Sequence, residues 1–329
     1  MLIFDNAYNS LKQKYIVPLS MYQTRYPSLR KNNIKTVLCN AKYSSVRYGN
    51  NDNELVFSFT SEHIMPALLG DIWLCYIRSE LQCNAAKQIY PLQPDFCPNW
   101  SIVSDYYGSF YDASTLLRLT MRGNIFLDNQ TLSAIKKITT IILETEPKID
   151  QNCIYFVEKD ASTIDMYDLH LVPSKRQTHE TVWIETGKII RDMKKNSVRK
   201  TDELTILNCI TSCLDGLGDT FPSQLRNAVN YQLPYGLNAI EKKIFPANAF
   251  AISDKWLDPI LTYSVGKKCP EELKIMLFKS YAIYIHMLVY NLISEYIELR
   301  GGRGFGVLSA INKHRITKIP EPSPVYTYH

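Results

Sequence analysis

The segment from residue 270 to 300 constrains the fold most, because it predicts a long helix that is apolar on nearly every side. Pro270 suits the first helical position, two glutamates follow it at the positive end of the helix dipole, and Gly301 suits the residue after the helix end. A helix of about 30 residues is roughly 45 Å long. Its centre, residues 281–293, needs neighbours on all sides. We therefore expect a helical lobe built around this helix, or a second subunit that covers it.

The same segment approaches the length and apolarity of a membrane-spanning helix, which needs about 20 consecutive apolar residues. Lys279, His286 and Asn291 interrupt the apolar run. The uncharged portion is too short if His286 is excluded from it. We therefore expect a buried central helix and no transmembrane span, with peripheral membrane binding through this helix as a lesser alternative.

The composition is that of a folded protein. Of the 329 residues, 46% are hydrophobic and 21% are charged, and the formal net charge is +5, which excludes a disordered chain. The eight cysteines include no CxxC pair, so neither a zinc ribbon nor a thioredoxin-type redox motif is present, and buried free thiols are expected. Asp5 interrupts the region where a signal peptide would be apolar, so we expect an intracellular, cytoplasmic protein that is not secreted.

The predicted fold class is α+β. Residues 1–173 are expected to form a mixed lobe that contains β-strands and begins with a basic arm. Residues 174–329 are expected to form a mainly helical lobe that ends in a second basic arm, although one continuous domain is also compatible with this length. The proposed boundary is the polar, basic segment that begins at Pro173.

Local patterns assign the individual elements. The predicted strands are Ile34–Cys39, 55–59, 153–157 and 164–172, together with a hairpin over 117–127. The predicted helices are 68–81, 128–146 (with a strand as the competing assignment), a basic helix and loop over 188–200, 201–214, two short helices after Pro222 and Tyr235, and the long helix. Residues 90–100 contain three prolines and predict an irregular connection.

The positive charge is concentrated in a few stretches. Residues 1–50 carry eight basic side chains against one acid, interleaved with tyrosines, and residues 188–200 carry six against Asp192. Cations next to aromatic rings can bind phosphates and stack on bases, although a solvated charged face is the simpler interpretation. The candidate nucleic-acid-binding residues are Arg25, Arg30, Lys31, Lys188, Arg191, Lys194, Lys195, Arg199, Lys200, Arg300, Arg303 and Phe305.

The last three candidates belong to the stretch Arg300-Gly-Gly-Arg-Gly-Phe-Gly306. It resembles a single unit of the RGG segments of RNA-binding proteins, in which glycines allow close approach, arginines bind phosphates and an aromatic ring stacks on a base. Here the unit occurs once and directly follows a long helix. A glycine helix terminus followed by a flexible turn is the competing interpretation.

Candidate catalytic and metal sites are weak. Asp95, Glu146 and Lys148 supply the residue types of a metal-dependent nuclease, but Pro147 lies between the last two and opposes the required strand. The acids at 158, 160, 165 and 168, with His170, could bind a hard cation, yet alternating acids on an exposed strand face are common. Cys209 and Cys213 share a helix face and are expected in the core. No catalytic residue, metal or cofactor is predicted.

We therefore expect a non-enzymatic structural or interaction protein. The most concrete version is a subunit of a larger nucleic-acid-associated assembly, such as a viral capsid shell or nucleocapsid, which would place it in the virion. Its expected partners are other protein subunits, in a homo- or hetero-oligomer, with a contact to RNA or DNA. The alternative is a metal-dependent nucleic-acid-processing enzyme.

Overall fold

The computed structural model describes residues 3–22, 33–50, 53–89, 99–231, 255–266 and 269–301. These residues form an antiparallel sheet and a surrounding set of helices, which confirms the α+β class. The strands are β1 (Ser45–Tyr48), β2 (Leu55–Thr60), β3 (Arg122–Phe126), β4 (Asn152–Lys159) and β5 (Met166–Pro173). The helices are α1 (Asn6–Leu11), α2 (Val17–Ser20), α3 (Ile34–Cys39), α4 (Ser61–Ile89), α5 (Asn99–Leu119), α6 (Asn129–Leu143), α7 (Thr178–Asn196), α8 (Asp202–Leu217), α9 (Phe221–Tyr231), α10 (Asp258–Thr262) and α11 (Glu271–Leu299), and a π-helical turn, Lys12–Ile16, joins α1 to α2.

The five strands lie in the order β1-β2-β5-β4-β3, and every neighbouring pair is antiparallel. Alternate residues of β4 and β5 are buried, as a sheet with one face on the core requires. Leu169 of β5 lies opposite Phe57 of β2 and Val157 of β4, so three apolar side chains meet at one level of the sheet. The strands predicted at 55–59, 153–157 and 164–172 are confirmed.

The predicted long helix is also confirmed, as α11. It packs against α5, α9 and α10 and against the segment that joins α1 to α2. Tyr284, Leu288 and Val289 of its central turns have no exposed surface. Its length and composition would allow it to cross a membrane, but more than half of its most apolar stretch is buried inside the protein. The chain itself therefore supplies the neighbours that this helix needs.

The predicted hairpin over 117–127 is wrong. Residues 117–119 end α5, a long helix that the sequence did not predict, and β3 then pairs with β4. Met121 takes a positive φ of 60° in the turn between helix and strand. The alternation of Leu117, Leu119 and Met121 is not a strand pattern, because α5 is covered by α4, α7, α9 and α11 and so buries side chains on several faces.

The predicted strand at Ile34–Cys39 is wrong too, because these residues form α3. The Asn33 side chain caps the helix by accepting a hydrogen bond from the backbone N–H of Thr36 at 2.8 Å. Ile34, Val37 and Leu38 are buried at helical spacing against α4. A short β-branched run was read as a strand, but the cap and the packing against α4 stabilise a helix.

The remaining helix predictions are confirmed where the structure describes them. Asp128 caps α6 and Thr201 caps α8, each by accepting a hydrogen bond from a backbone N–H of the first turn. Tyr235 and residues 90–98 lie outside the described residues, and Asn99 and Trp100 already belong to α5. One cluster of buried apolar side chains includes residues from Ile3 to Tyr296, on both sides of the proposed boundary at residue 173.

Candidate nucleic-acid interface

A surface cleft of about 190 Å³ lies between α1, the π-helical turn, the last turns of α7 and the first residue of β3. Its lining includes the basic side chains Lys14, Arg122 and Lys195, the ring of Tyr15, and one acid, Asp192. The cleft therefore brings part of the basic N-terminal stretch next to part of the basic run at 188–200. These two regions are far apart in the sequence, and only the fold unites them.

The neighbouring elements explain this placement. α7 buries Trp183, Ile190 and Met193 in the core, so its polar residues near the C-terminal end point outward. Glu203 of α8 contacts the amino end of α1. Its buried carboxylate accepts hydrogen bonds from three backbone N–H groups of residues 5–8. Lys14, eight residues after α1 begins, then faces the end of α7.

The electrostatics of the cleft favour an anion. Three cations face one acid, and the Lys195 Nζ lies 3.1 Å from the Asp192 carboxylate. Lys14 and Arg122 form no salt bridge with any described residue, and Lys14 Nζ lies 5.0 Å from the centre of the Tyr15 ring. A cation beside an aromatic ring can bind a phosphate and a base together. The cleft can therefore hold one or a few phosphate groups of a nucleic acid.

Most of the other predicted residues of α7 have structural partners. Arg191 Nη2 lies 2.8 Å from Asp215 and 2.9 Å from Asp219, and these hydrogen bonds raise the pKa of its guanidinium and tie α7 to α8 and the turn after it. Lys188 pairs with Glu185 at 2.5 Å. Lys194 donates a hydrogen bond to Thr211 at 3.1 Å. The predicted residues of this helix thus divide between the cleft and the contact between α7 and α8.

Arg199 and Lys200 are exposed in the turn after α7. Arg300 donates a hydrogen bond from Nη1 to the backbone oxygen of Tyr22 at 2.5 Å, and its guanidinium lies over the Tyr296 ring. It therefore ties the end of α11 to the segment after α2. The predicted residues outside the described part of the chain are Arg25, Arg30, Lys31, Arg303 and Phe305.

The structure adds Lys14 and Arg122 to the candidate interface. Lys14 is one of the eight basic side chains of residues 1–50 but is not among the candidate residues, and Arg122 lies within the predicted hairpin over 117–127. Neither residue has a distinctive local pattern. The available signal was the uneven distribution of charge, which indicates basic regions but not which of them meet in space.

The predicted acidic sites are occupied by structural pairs. Asp168 accepts hydrogen bonds from Arg47 and Ser58, both at 2.7 Å. His170 Nδ1 lies 2.7 Å from the Glu54 carboxylate, and its ring stacks on Phe156 with centres 4.2 Å apart. These contacts join neighbouring strands of the sheet.

The nuclease-like residues and the cysteine pair do not form a site either. Glu146 lies in the loop after α6, where its carboxylate pairs with Lys136 at 3.2 Å, and Asp95 lies outside the described residues. Cys213 is buried in the core, as expected, and Cys209 is half-buried and packs against it.

A chain of polar groups joins α7 to α5 and α9, with Tyr106 and Ser223 buried and His179 half-buried. The Tyr106 hydroxyl lies 2.9 Å from His179 Nδ1 and 3.2 Å from the Ser223 hydroxyl. Burial, aided by the nearby Arg226 cation, lowers the pKa of His179 to about 4. The imidazole also packs on Phe110 with ring centres 4.4 Å apart. We interpret this group as a packed polar part of the fold, since its hydrogen bonds and its ring contact are with neighbouring side chains.

A second constellation could hold a metal ion. Ligand atoms of Cys83, Asp112 and His286 all lie within 4.8 Å of one another. These residues come from α4, α5 and α11 and are separated by 29 and 174 positions, so no sequence spacing reveals the group.

No protein-family model, curated protein or solved structure matches this chain.

Proposed function

We propose that this protein is a non-enzymatic structural or interaction subunit of a nucleic-acid-associated assembly, and that it contacts the phosphate backbone through the cleft between α1 and α7. The observation that carries the proposal is the convergence of Lys14, Arg122 and Lys195 on one concave surface. Backbone contacts by cations supply most sequence-independent affinity for nucleic acids. A shell or nucleocapsid subunit, which packages a genome of any sequence, needs affinity of this kind.

The outer surface of α6 supports the assembly part of the proposal. Ile141 is 72% exposed and the adjacent Ile142 is 50% exposed. Large apolar side chains that are grouped on a protein surface are typical of contacts with other proteins. We take another subunit of the same assembly as the partner of this surface.

The geometry favours this function over the metal-dependent nuclease. A nuclease of that type needs two or more carboxylates that converge on an accessible cation. Glu146 instead lies on the surface in a salt bridge with Lys136, and Asp168 is held by Arg47 and Ser58. The cleft contains a single acid, Asp192, which is paired with Lys195.

Binding of labelled single-stranded RNA, single-stranded DNA and duplex DNA, followed by fluorescence anisotropy over a series of salt concentrations, tests the proposal. We expect affinity to fall steeply between about 50 and 200 mM salt. Lys14→Gln and Arg122→Gln should each weaken binding to all sequences and lower the slope of log affinity against log salt by about one. Lys137→Gln is the matched control, because it removes one exposed charge from α6, outside the cleft.

Two results would contradict the proposal. One is the absence of binding at low salt, and the other is an equal effect of the cleft variants and the Lys137 control. The native particle mass, measured with and without nuclease treatment, tests the assembly separately. A monodisperse monomer under both conditions would exclude a stable homo-oligomer, and incubation with Mg²⁺ or Mn²⁺ would reveal turnover if the chain were a nuclease.

A further inference from the structure

The three longest helices, α4, α5 and α11, meet at a cluster of polar side chains. Cys83 lies near the end of α4, Asp112 in the middle of α5, and His286 in the middle of α11. Gly108 of α5 allows the close approach, since a Cβ atom at that position would lie 2.6 Å from the Cys83 sulfur. A thiol, a carboxylate and an imidazole thus face one another across the junction, with ligand atoms no more than 4.8 Å apart.

The hydrogen bonding of this cluster is incomplete. Asp112 has no exposed surface, and its Oδ2 is bonded to His286 Nδ1 at 2.8 Å, but its Oδ1 has no hydrogen-bond partner among the described residues. Glu80 lies one turn before Cys83, is 4% exposed, and likewise has a buried oxygen, Oε2, without such a partner. Buried carboxylate oxygens in native proteins are normally paired or bind a cation.

Lys279 of α11 does not satisfy these oxygens. Lys279 pairs with a third acid, Asp105, at 3.4 Å, and burial lowers the pKa of its ammonium group. That pairing accounts for Asp105, which is half-buried, and leaves the unpaired oxygens of Asp112 and Glu80. A divalent ion bound at Asp112 would supply a partner for its unpaired oxygen.

The environment of Cys83 argues against a role as a nucleophile. Burial raises the pKa of its thiol well above the usual value, and the carboxylates of Asp112, Asp105 and Glu80 raise it further. A reactive cysteine needs an electropositive, partly exposed setting that stabilises the thiolate. The ligand atoms of Cys83, Asp112 and His286 instead lie within 4.8 Å of one another, an arrangement that suits a metal ion bound by all three.

We propose that Cys83, Asp112 and His286 are three protein ligands of one Zn²⁺ ion. Zinc is the common metal that accepts a thiolate, an imidazole and a carboxylate together, whereas Mg²⁺ and Ca²⁺ prefer oxygen ligands alone. With Cys83 and Asp112 ionised and His286 neutral, the ligand charge balances that of the ion. The three ligands come from three different helices, so the ion would join these helices, with a water molecule as the fourth ligand.

The observed distances are compatible with such an ion. Two ligands bound at about 2.0–2.1 Å in tetrahedral geometry lie about 3.3 Å apart. The ion would take the place of the proton between His286 Nδ1 and Asp112 Oδ2, which lie 2.8 Å apart without it. These two atoms would then move apart by roughly half an ångström, and the Cys83 side chain would rotate toward the ion. The thiol proton leaves to solvent, and the single proton of the neutral imidazole moves from Nδ1 to Nε2, so that Nδ1 can bind the ion.

The zinc site goes beyond the proposed function and does not depend on it. Its consequence is structural, because a single ion would join α4, α5 and α11. The test is the metal content of the full-length protein, purified without chelator and measured by mass spectrometry. We expect about one zinc per chain, and stepwise removal by a chelator should lower the melting temperature.

Replacement of the zinc with Co²⁺ identifies the ligands. The cobalt protein should show the intense d–d absorption of a tetrahedral site together with a thiolate-to-cobalt charge-transfer band. Cys83→Ala should abolish the charge-transfer band, and Asp112→Asn should weaken binding at least about 100-fold, beyond the range typical of outer-shell partners. Cys213→Ala, which removes a buried thiol from α8, is the matched control and should leave both spectra unchanged.

Two outcomes would overturn the proposal. One is a protein that neither retains zinc nor binds Co²⁺ when the metal is added. The other is a Cys83→Ala protein that keeps stoichiometric metal and the charge-transfer band. X-ray absorption spectroscopy of zinc-loaded wild-type protein decides the matter if a variant does not fold. One sulfur with nitrogen and oxygen ligands is expected, and a shell with no sulfur or with several would exclude this site.

Discussion

His179 shows how the core sets the chemistry of a single residue. Its ring is stacked on Phe110 and bonded to the Tyr106 hydroxyl, and Arg226 lies over the Tyr106 ring at 5.4 Å. Apolar neighbours and a nearby cation both disfavour a second positive charge. The pKa of His179 is therefore lowered to about 4, and the imidazole stays neutral in the folded protein at neutral pH.

This shift predicts a loss of stability in mild acid. The unfolded chain takes up a proton on His179 near pH 6.5, whereas the folded protein does so only near pH 4. The free energy of unfolding should therefore decrease as the pH falls from about 6.5 to about 4, and this contribution should level off below that range. Denaturant unfolding of the wild-type protein and His179→Gln across this range measures the effect.

The free energy of unfolding of His179→Gln should depend less on pH between about 6.5 and about 4, because the glutamine side chain at position 179 does not titrate. His63→Gln, at the half-exposed start of α4, is the control and should retain the wild-type dependence. An identical pH profile for the wild-type protein and His179→Gln would contradict the assignment.

At the scale of elements, the fold depends on contacts that single segments cannot supply. α1 has only six residues, too few for an isolated helix to be stable. Glu203, in the first turn of α8, accepts hydrogen bonds from the backbone N–H groups of Asp5, Ala7 and Tyr8 at 2.9–3.0 Å. A carboxylate from another helix thus provides the cap that the chain near α1 lacks.

Glu203→Ala should destabilise the protein by roughly 3 kcal/mol, because three buried N–H groups lose their acceptor. Glu203→Gln should cost less, since its amide oxygen still accepts some of these hydrogen bonds. Denaturant unfolding gives the free energies, and hydrogen exchange of the Ala7 and Tyr8 amides reports whether α1 is released. Glu180→Ala, which removes an exposed acid from α7, should leave the free energy of unfolding nearly unchanged. A similar loss of stability in both alanine variants would contradict the role of Glu203 as the cap near α1.

The sequence predicts most elements that have one buried face. α6, α8, β4 and β5 show clear periodicity, and Asp128 and Thr201 mark the starts of their helices. α5 was missed because its surroundings bury Ile102, Tyr106, Phe110 and other side chains on several faces, so polar residues do not alternate regularly with apolar ones. α3 was misassigned because six residues are too few to reveal a period.

The candidate interface could be predicted only in part. The sequence identified basic regions, and Lys195 does line the cleft. It could not separate Lys195 from Arg191, which forms salt bridges with Asp215 of α8 and with Asp219 in the turn after α8. The partners of a charged side chain are set by tertiary contacts, which composition and spacing do not encode.

At the scale of the whole molecule, α5 connects both halves of the chain. It packs against α4 and β3 from the first 173 residues and against α7, α9 and α11 from the rest. The buried apolar cluster likewise continues across residue 173. A break at that position would expose core surface on both sides.

We therefore expect one cooperative unfolding transition for the described fold. Thermal unfolding followed by far-ultraviolet circular dichroism and by tryptophan fluorescence should give coincident curves, because the buried Trp73 and Trp183 lie on opposite sides of residue 173. Residues 1–173 and 174–329, expressed separately, should not reach the stability of the intact chain. Two separated transitions, or two stable halves, would support independent lobes instead.

The sequence alone determined the α+β class, the long apolar helix and the uneven distribution of charge, because each depends on local composition and periodicity. Tertiary structure decided which elements surround α11, which cations share a cleft, and that Cys83, Asp112 and His286 meet. The physical reason is that burial and pairing depend on neighbours distant in the chain. Periodicity shows that a face is buried, but only the folded arrangement shows what covers it.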